Sequence, residues 1–176
     1  MMPVAAVALY DPRMEEQSPG EPRLPLARSF AYEPNLPPAL RAVTVMRTGY
    51  DRTSDIQLAF RCGDYAGWHG HPDQGSFALN AYGEHLVIDR AMGAPYGTPK
   101  SDLSKSPLAH SMILVDGEGQ VSYSNPVFYN RKAGHTGQLL HTGFIDYVMA
   151  DSTVAYRKNP KIGIMDHAYR HFLFVR

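Results

Sequence analysis

From Ala42 onward, apolar and polar positions fall into short runs broken by Gly, Asp and Asn, and several of these runs alternate with a period of two. Alternation sends successive side chains to opposite faces of a strand. In Ser76–Tyr82, Phe77, Leu79 and Ala81 therefore share one face, and Ser76, Ala78 and Asn80 the other. The runs predict strands over Ala42–Arg47, Ile56–Arg61, Ser76–Tyr82, Leu86–Asp89, Ser111–Val115, Val121–Tyr123, Gly137–Ala150, Thr153–Tyr156 and Tyr169–Val175. Tyr82, Gly83 and Glu84 supply a hairpin turn into Leu86–Asp89. Asp116, Gly117, Glu118 and Gly119 supply a second turn, Asp-Gly being favoured where φ must be positive. No stretch sustains a helical period over three turns. The expected fold is all-β, an antiparallel sandwich or barrel of about nine strands.

The first forty residues read differently. They hold eight of the fourteen prolines and no sustained period, the pattern of an irregular linker or wrapped-on segment. The chain thus divides into a Pro-rich segment, 1–40, and a β domain, 41–176. At 176 residues there is length for one core, which buries roughly 70% of the unfolded surface. The apolar run Phe172–Val175 at the very end, with no turn after it, gives the expectation of a truncated C-terminus.

Charge and cysteine content narrow the function classes. Formal net charge is zero and the basic residues are scattered, so no electrostatic footprint for nucleic acid or an acidic membrane is present. A single cysteine, Cys62, excludes an internal disulfide. The apolar start Pro3–Leu9 lacks a basic lead and runs into Asp11 and Pro12, unlike an export signal. No run reaches the roughly 18 apolar residues of a membrane span.

The densest chemistry lies between Gly67 and Phe77, which carries Trp68, His69, His71 and Asp73. His69 and His71 are two apart, so in an extended backbone they face the same way, and Pro72 stops strand pairing beyond them. Asp89, at the end of one predicted strand, and His110, at the start of another, complete a His/His/Asp set. Such a set suits Zn²⁺ with one position left open. His71, Asp89 and His110 are the expected ligands, leaving His69 free to act on substrate. Plainer roles exist for each: a hydrogen-bonded histidine, a turn-forming Asp89, a core Trp68, an Asp73 that caps the turn after Pro72. Gly63 ahead of His69 and His71 also fits the opening of a cupin metal motif, but Gly75 and Ser76 stand where that motif needs Glu.

The ordered set His69–Phe77, Tyr82–Asp89 and His110–Gly117 resembles the C-terminal β-sandwich region of heparinase II/III-like polysaccharide lyases. The likeness extends upstream to Val45–Arg47 and Leu58–Arg61, and more weakly downstream through Asp146–Val148 and Arg170–Val175. The resemblance implies a β-sandwich that joins an N-terminal helical toroid, with an acidic polysaccharide bound in the cleft between them. It implies a structural zinc on His71, Asp89 and His110, in agreement with the set read from strand ends. It also implies a cleft-facing His69 that handles the uronate. Ser111 stands where the family commonly has Asn. The toroid is absent from this chain, and with it the residues of the facing wall, so the resemblance implies a fragment with little or no turnover of its own. The implied reaction is β-elimination at a uronic acid, with His69 as catalytic residue and with Trp68 and Tyr96 lining the cleft. The implied location is the periplasm or cell envelope. The other expectation is a non-catalytic, metal-stabilised β-sandwich that binds carbohydrate or a partner domain.

Overall fold

The structure, a computed structural model, describes residues 25–31, 41–51, 53–63, 71–89, 97–121 and 134–176. Among the described residues nine strands build two antiparallel sheets. The first sheet is a meander of β1 (Ala27–Ala31), β2 (Arg41–Arg47), β3 (Ile56–Arg61), β4 (Phe77–Ala81) and β5 (Glu84–Val87), each strand hydrogen-bonded to the next. The second contains β6 (His135–Thr136), β7 (Leu140–His141), β8 (Ile145–Asp151) and β9 (Tyr169–Val175). There β8 is central, with β6 and β7 on one edge and β9 on the other.

Register decides which residues meet between the sheets. Ala27 opposes Met46, Met46 opposes Leu58, and Leu58 opposes Leu79, while Thr44, Phe60 and Phe77 form the next row. Partners across a ladder share a face, so these rows form one inner surface. The alternation read at Phe77, Leu79 and Ala81 is the one found. On the second sheet Val148 opposes Phe172 and Asp146 opposes Phe174, with all four buried. The two inner surfaces close on a core of Ala27, Met46, Phe60, Cys62, Val148, Ala150, Phe172 and Phe174. At its centre Phe60 and Phe172 stack with ring centroids 4.2 Å apart.

Two polar intrusions into this core are satisfied locally. The hydroxyls of Ser29 and Thr44 lie 2.8 Å apart across β1 and β2. Asp146, wholly buried, accepts from His141 Nδ1 at 2.6 Å and from the guanidinium of Arg176. Arg176 also donates to the carbonyls of Arg47 and Thr142, so it fastens the end of β9 to β2 and to the chain after β7. A buried carboxylate is tolerated when its charge and lone pairs are met in this way.

Four expectations about the elements are corrected. β1 lies inside the segment expected to be irregular and pairs with β2 along five residues. Ser111–Val115 is not a strand: Ile113 and Leu114 are exposed, and Val115 forms an isolated bridge to Glu118. Thr153–Tyr156 belongs to a helix, α2 (Thr153–Arg157), where Asp151 accepts from the Thr153 amide at 2.9 Å. Gly137–Ala150 is broken, since β7 turns into β8 through Thr142, whose hydroxyl bonds to both amide and carbonyl of Ile145. Both predicted turns are present, with positive φ at Tyr82 and Gly83 and at Asp116 and Gly117. Another short helix, α1 (Pro99–Ser104), precedes a 3₁₀ turn at Pro107–Ala109. The expected strand Val121–Tyr123 falls largely outside the described residues.

Candidate metal centre

Three segments at one end of the first sheet bring the site together. The first follows β3. The Gly75 amide donates to the Arg61 carbonyl at 2.6 Å and the Arg61 amide to the Ser76 carbonyl at 3.0 Å, so the pairing at the end of β3 runs on into the residues ahead of β4. Residues 71–76 turn back beside it, with the Asp73 amide on the His71 carbonyl and the Ser76 amide on the Asp73 carbonyl. Gly75 takes φ +86° here, a conformation that favours glycine. Gln74, almost fully buried, accepts from the Gly63 amide at 2.7 Å.

The second segment is the exit from β5, which carries Asp89 two residues past Val87. The third begins at His110, whose amide closes the 3₁₀ turn on the Pro107 carbonyl. Residues after His110 have no ladder, and side chains from elsewhere fasten them instead. Tyr156 donates to the Ile113 carbonyl at 2.5 Å, Asn159 to the Gly119 carbonyl at 2.7 Å. Gln120 and Gln74 exchange a reciprocal pair, Gln74 N to Gln120 Oε1 and Gln120 Nε2 to Gln74 O.

The result places one potential ligand atom from each of Asp73, Asp89 and His110 within 4.8 Å of the others. His110 Nδ1 and Asp89 Oδ1 are 2.9 Å apart, the His110 side chain 1% exposed and that of Asp89 18%. The other ring nitrogen of His110, Nε2, is buried and has no hydrogen-bond partner. Buried polar nitrogens are rarely left so. The His71 ring lies edge-on to that of His110, centroids 5.2 Å apart. Burial pushes the His71 imidazole below its ordinary pKa, partly opposed by the nearby Asp73 carboxylate, and the neighbouring His110 adds to the lowering. The lowering favours the neutral imidazole, the form that carries a free lone pair.

Of the residues singled out as ligands in the sequence, Asp89 and His110 share the cluster of potential ligand atoms with Asp73, while His71 stands outside that cluster and meets it by its ring against that of His110. His69, Trp68 and Tyr96 lie outside the described residues. Asp73 was given only the role of capping a turn, yet it stands in the cluster. Both of its carboxylate oxygens accept from Arg61 Nη1, at 2.8 and 2.7 Å. The two side chains are 9% and 11% exposed, so this is a buried ion pair at the edge of the site. Its signal in the sequence was faint: an Arg ending β3, twelve residues before an Asp that sits two past a histidine.

The chain matches the heparinase II/III-like, C-terminal family over residues 40–162. It belongs to that family. Among solved structures, a mutant of heparan sulfate lyase HepC from Pedobacter heparinus superposes with a TM-score of 0.60 at 16% identity, covering 77% of this chain and 19% of that one. A heparinase III gene product with methylated lysines gives 0.64 at 15% identity, covering 92% and 22%. Non-mutant HepC gives 0.57 at 16%, covering 76% and 19%. At such identities the likeness is one of fold. The chain spans about a fifth of the length of these structures. A search of curated proteins finds no match. Among the described residues no helix is long and apolar enough to cross a membrane.

Proposed function

We propose that this chain is the metal-bearing β-sandwich portion of a polysaccharide lyase that cleaves a uronic-acid-containing polysaccharide by β-elimination. The observation that carries the metal part is the meeting of His110 Nδ1 and Asp89 Oδ1 at 2.9 Å, with the His71 ring 5.2 Å from that of His110. Imidazole and carboxylate donors fit Zn²⁺, and His71, Asp89 and His110 are the residues that hold it. Bound there, the ion supplies a fixed charge that ties the chain after β5 to the turns at 71–76 and at His110. Its role is structural, since elimination requires no water nucleophile. Asp73, with both oxygens on Arg61, braces the turn that carries His71.

In the reaction the uronate carboxylate is neutralised so that the C5 proton becomes acidic, a base removes that proton, and an acid protonates the departing O4. His69 takes the part of base or carboxylate partner, an unperturbed imidazole pKa near 6.5 being suited to it. Trp68 and Tyr96 line the cleft, the indole offering an apolar face to a sugar ring. The facing wall belongs to an N-terminal helical toroid domain, and the working place of the whole protein is the periplasm or cell envelope. The coverage of about a fifth of each similar structure supports a second domain. On its own the chain then turns over little or no substrate. The test is incubation with alginate, heparan sulfate and chondroitin while following ultraviolet absorbance of the unsaturated uronate product; clear turnover by the isolated chain refutes the need for a facing wall.

The second reading is a non-catalytic, metal-stabilised sandwich that docks carbohydrate or a partner domain. It is favoured by the outer face of the second sheet, where Leu173 and Val175 are 65% and 62% exposed. Joining the chain to an upstream helical domain separates the two readings: lyase activity that appears only in the joined protein, and disappears with His69→Ala, supports the first.

A further inference from the structure

Arg170, the second residue of β9, reaches out of its own sheet to both ligand-bearing loops. One nitrogen, Nη1, donates to the Gly75 carbonyl and to the Ser111 carbonyl, each at 2.6 Å. That nitrogen carries two protons, so each carbonyl receives its own. Gly75 is two residues past Asp73 in the turn that begins at His71. Ser111 directly follows His110. The guanidinium also lies over the Phe77 ring, 5.2 Å from its centroid. Arg170 makes no ion pair with a carboxylate among the described residues, so its charge is spent on backbone carbonyls. Hydrogen bonds from a charged donor are about twice as strong as neutral ones.

We infer that Arg170 is a positioning residue that sets the separation between the turn carrying His71 and Asp73 and the loop carrying His110. The inference rests on the metal reading of that site for its consequence, not for its geometry. Among the described residues no backbone hydrogen bond joins 71–76 to 110–112. Their relative position is held by side chains, with Arg170 at this end and the Gln74–Gln120 pair at the other. A metal site needs its donors held within a few tenths of an ångström, and partners that orient ligands without touching the ion typically account for about 10- to 100-fold in affinity.

The experiment compares the full chain with its Arg170→Met and Arg170→Lys variants. Met keeps an apolar stem over Phe77 and loses both donors; Lys keeps a charged group with enough protons for two carbonyls. Amide hydrogen exchange of the metal-free proteins, followed by mass spectrometry, reads the clamp directly. Arg170→Met should speed exchange in both 71–77 and 110–115 while β2 and β3 keep their protection, and Arg170→Lys should restore most of it. Zinc affinity, measured by competition with a chromogenic chelator, should fall about 10- to 100-fold in Arg170→Met and recover in Arg170→Lys. The inference is overturned if Arg170→Met leaves either segment as protected as before, or if protection is lost evenly across both sheets and Lys does no better than Met. It is equally overturned if the unaltered chain and Arg170→Met bind zinc alike. Failure of the unaltered chain to bind zinc retires the metal reading instead, and the exchange data then decide the clamp by themselves.

Discussion

His110 and Asp89, twenty-one residues apart, meet through Nδ1 and Oδ1 at 2.9 Å, and the far nitrogen of the same ring is buried without a partner. An imidazole nitrogen and a carboxylate oxygen this close can hold one ion between them. His110→Ala should therefore abolish zinc binding. Asp89→Asn should weaken it at least about 10-fold, whether the carboxylate ligates or orients, and His71→Ala should lower it as well. Metal content of the purified proteins after dialysis checks this, and equal zinc in all four would remove the metal centre from the account.

Asp73 is expected to behave differently, although its carboxylate stands in the same cluster. Its oxygens are occupied by Arg61 at 2.8 and 2.7 Å, in a pair that is nearly buried. Replacing the carboxylate takes two charge-assisted acceptors from a nearly buried guanidinium, and a hydrogen bond to a charged group contributes about 1.5–3 kcal/mol. Asp73→Asn should thus lower the stability of the metal-free protein in urea by an amount of that order while leaving zinc stoichiometry unchanged. A variant that keeps its stability and loses its metal would make Asp73 a ligand instead of a brace.

The contrast between these residues also shows what the sequence could reveal. The meeting of Asp89 and His110 was legible only in part, since a break in an alternating run marks Asp89 as following a strand, whereas His110 follows a 3₁₀ turn and opens no strand. The Phe77–Ala81 face was legible, a period of two being a local property of the chain. Asp73 was not, because the fact that matters is its contact with Arg61, which comes from the β3–β4 register. Ser111–Val115 misled because a short apolar run reads alike whether or not a neighbouring strand exists to pair with it, and here its carbonyls at Ile113 and Ser111 are taken by Tyr156 and Arg170 instead. Thr153–Tyr156 misled through its β-branched pair, Thr153 and Val154, although Asp151 and Ser152 just ahead are residue types that start helices. β1 was hidden by the prolines around it, since its pairing with β2 crosses nine intervening residues.

The two sheets depend on the Phe60–Phe172 stack, so the core predicts a sharp difference between neighbours on β9. Phe172 is 7% exposed and Leu173 65%. Phe172→Ala should cost about 3–5 kcal/mol, the lost transfer of the ring plus the cavity it leaves. Leu173→Ala should stay within about 0.5 kcal/mol. Urea midpoints of the two variants at unchanged slope check the pair. Similar losses for both would mean that the outer face of the second sheet is covered in solution.

Cys62 provides a test of the core by pH. It is fully buried at the end of β3, and its thiol donates to the Asp151 carbonyl at 3.2 Å. Burial pushes the thiol from its ordinary 9.0 up to about 12, opposed in part by a hydrogen bond from the backbone at His135. Between those two values the unfolded chain releases a proton that the folded chain keeps, so the folded state loses stability as pH rises. The contribution is whole below about pH 9 and declines through the interval above it. Cys62→Ser should flatten that decline, though at some general loss of stability from placing a hydroxyl in the core. In the native protein at pH 8 the thiol should resist a chromogenic disulfide reagent for as long as the sandwich stays closed and react at once in urea, because the thiolate is the nucleophile. Prompt labelling without denaturant would show that the two sheets part at the Cys62 end far more readily than this packing allows.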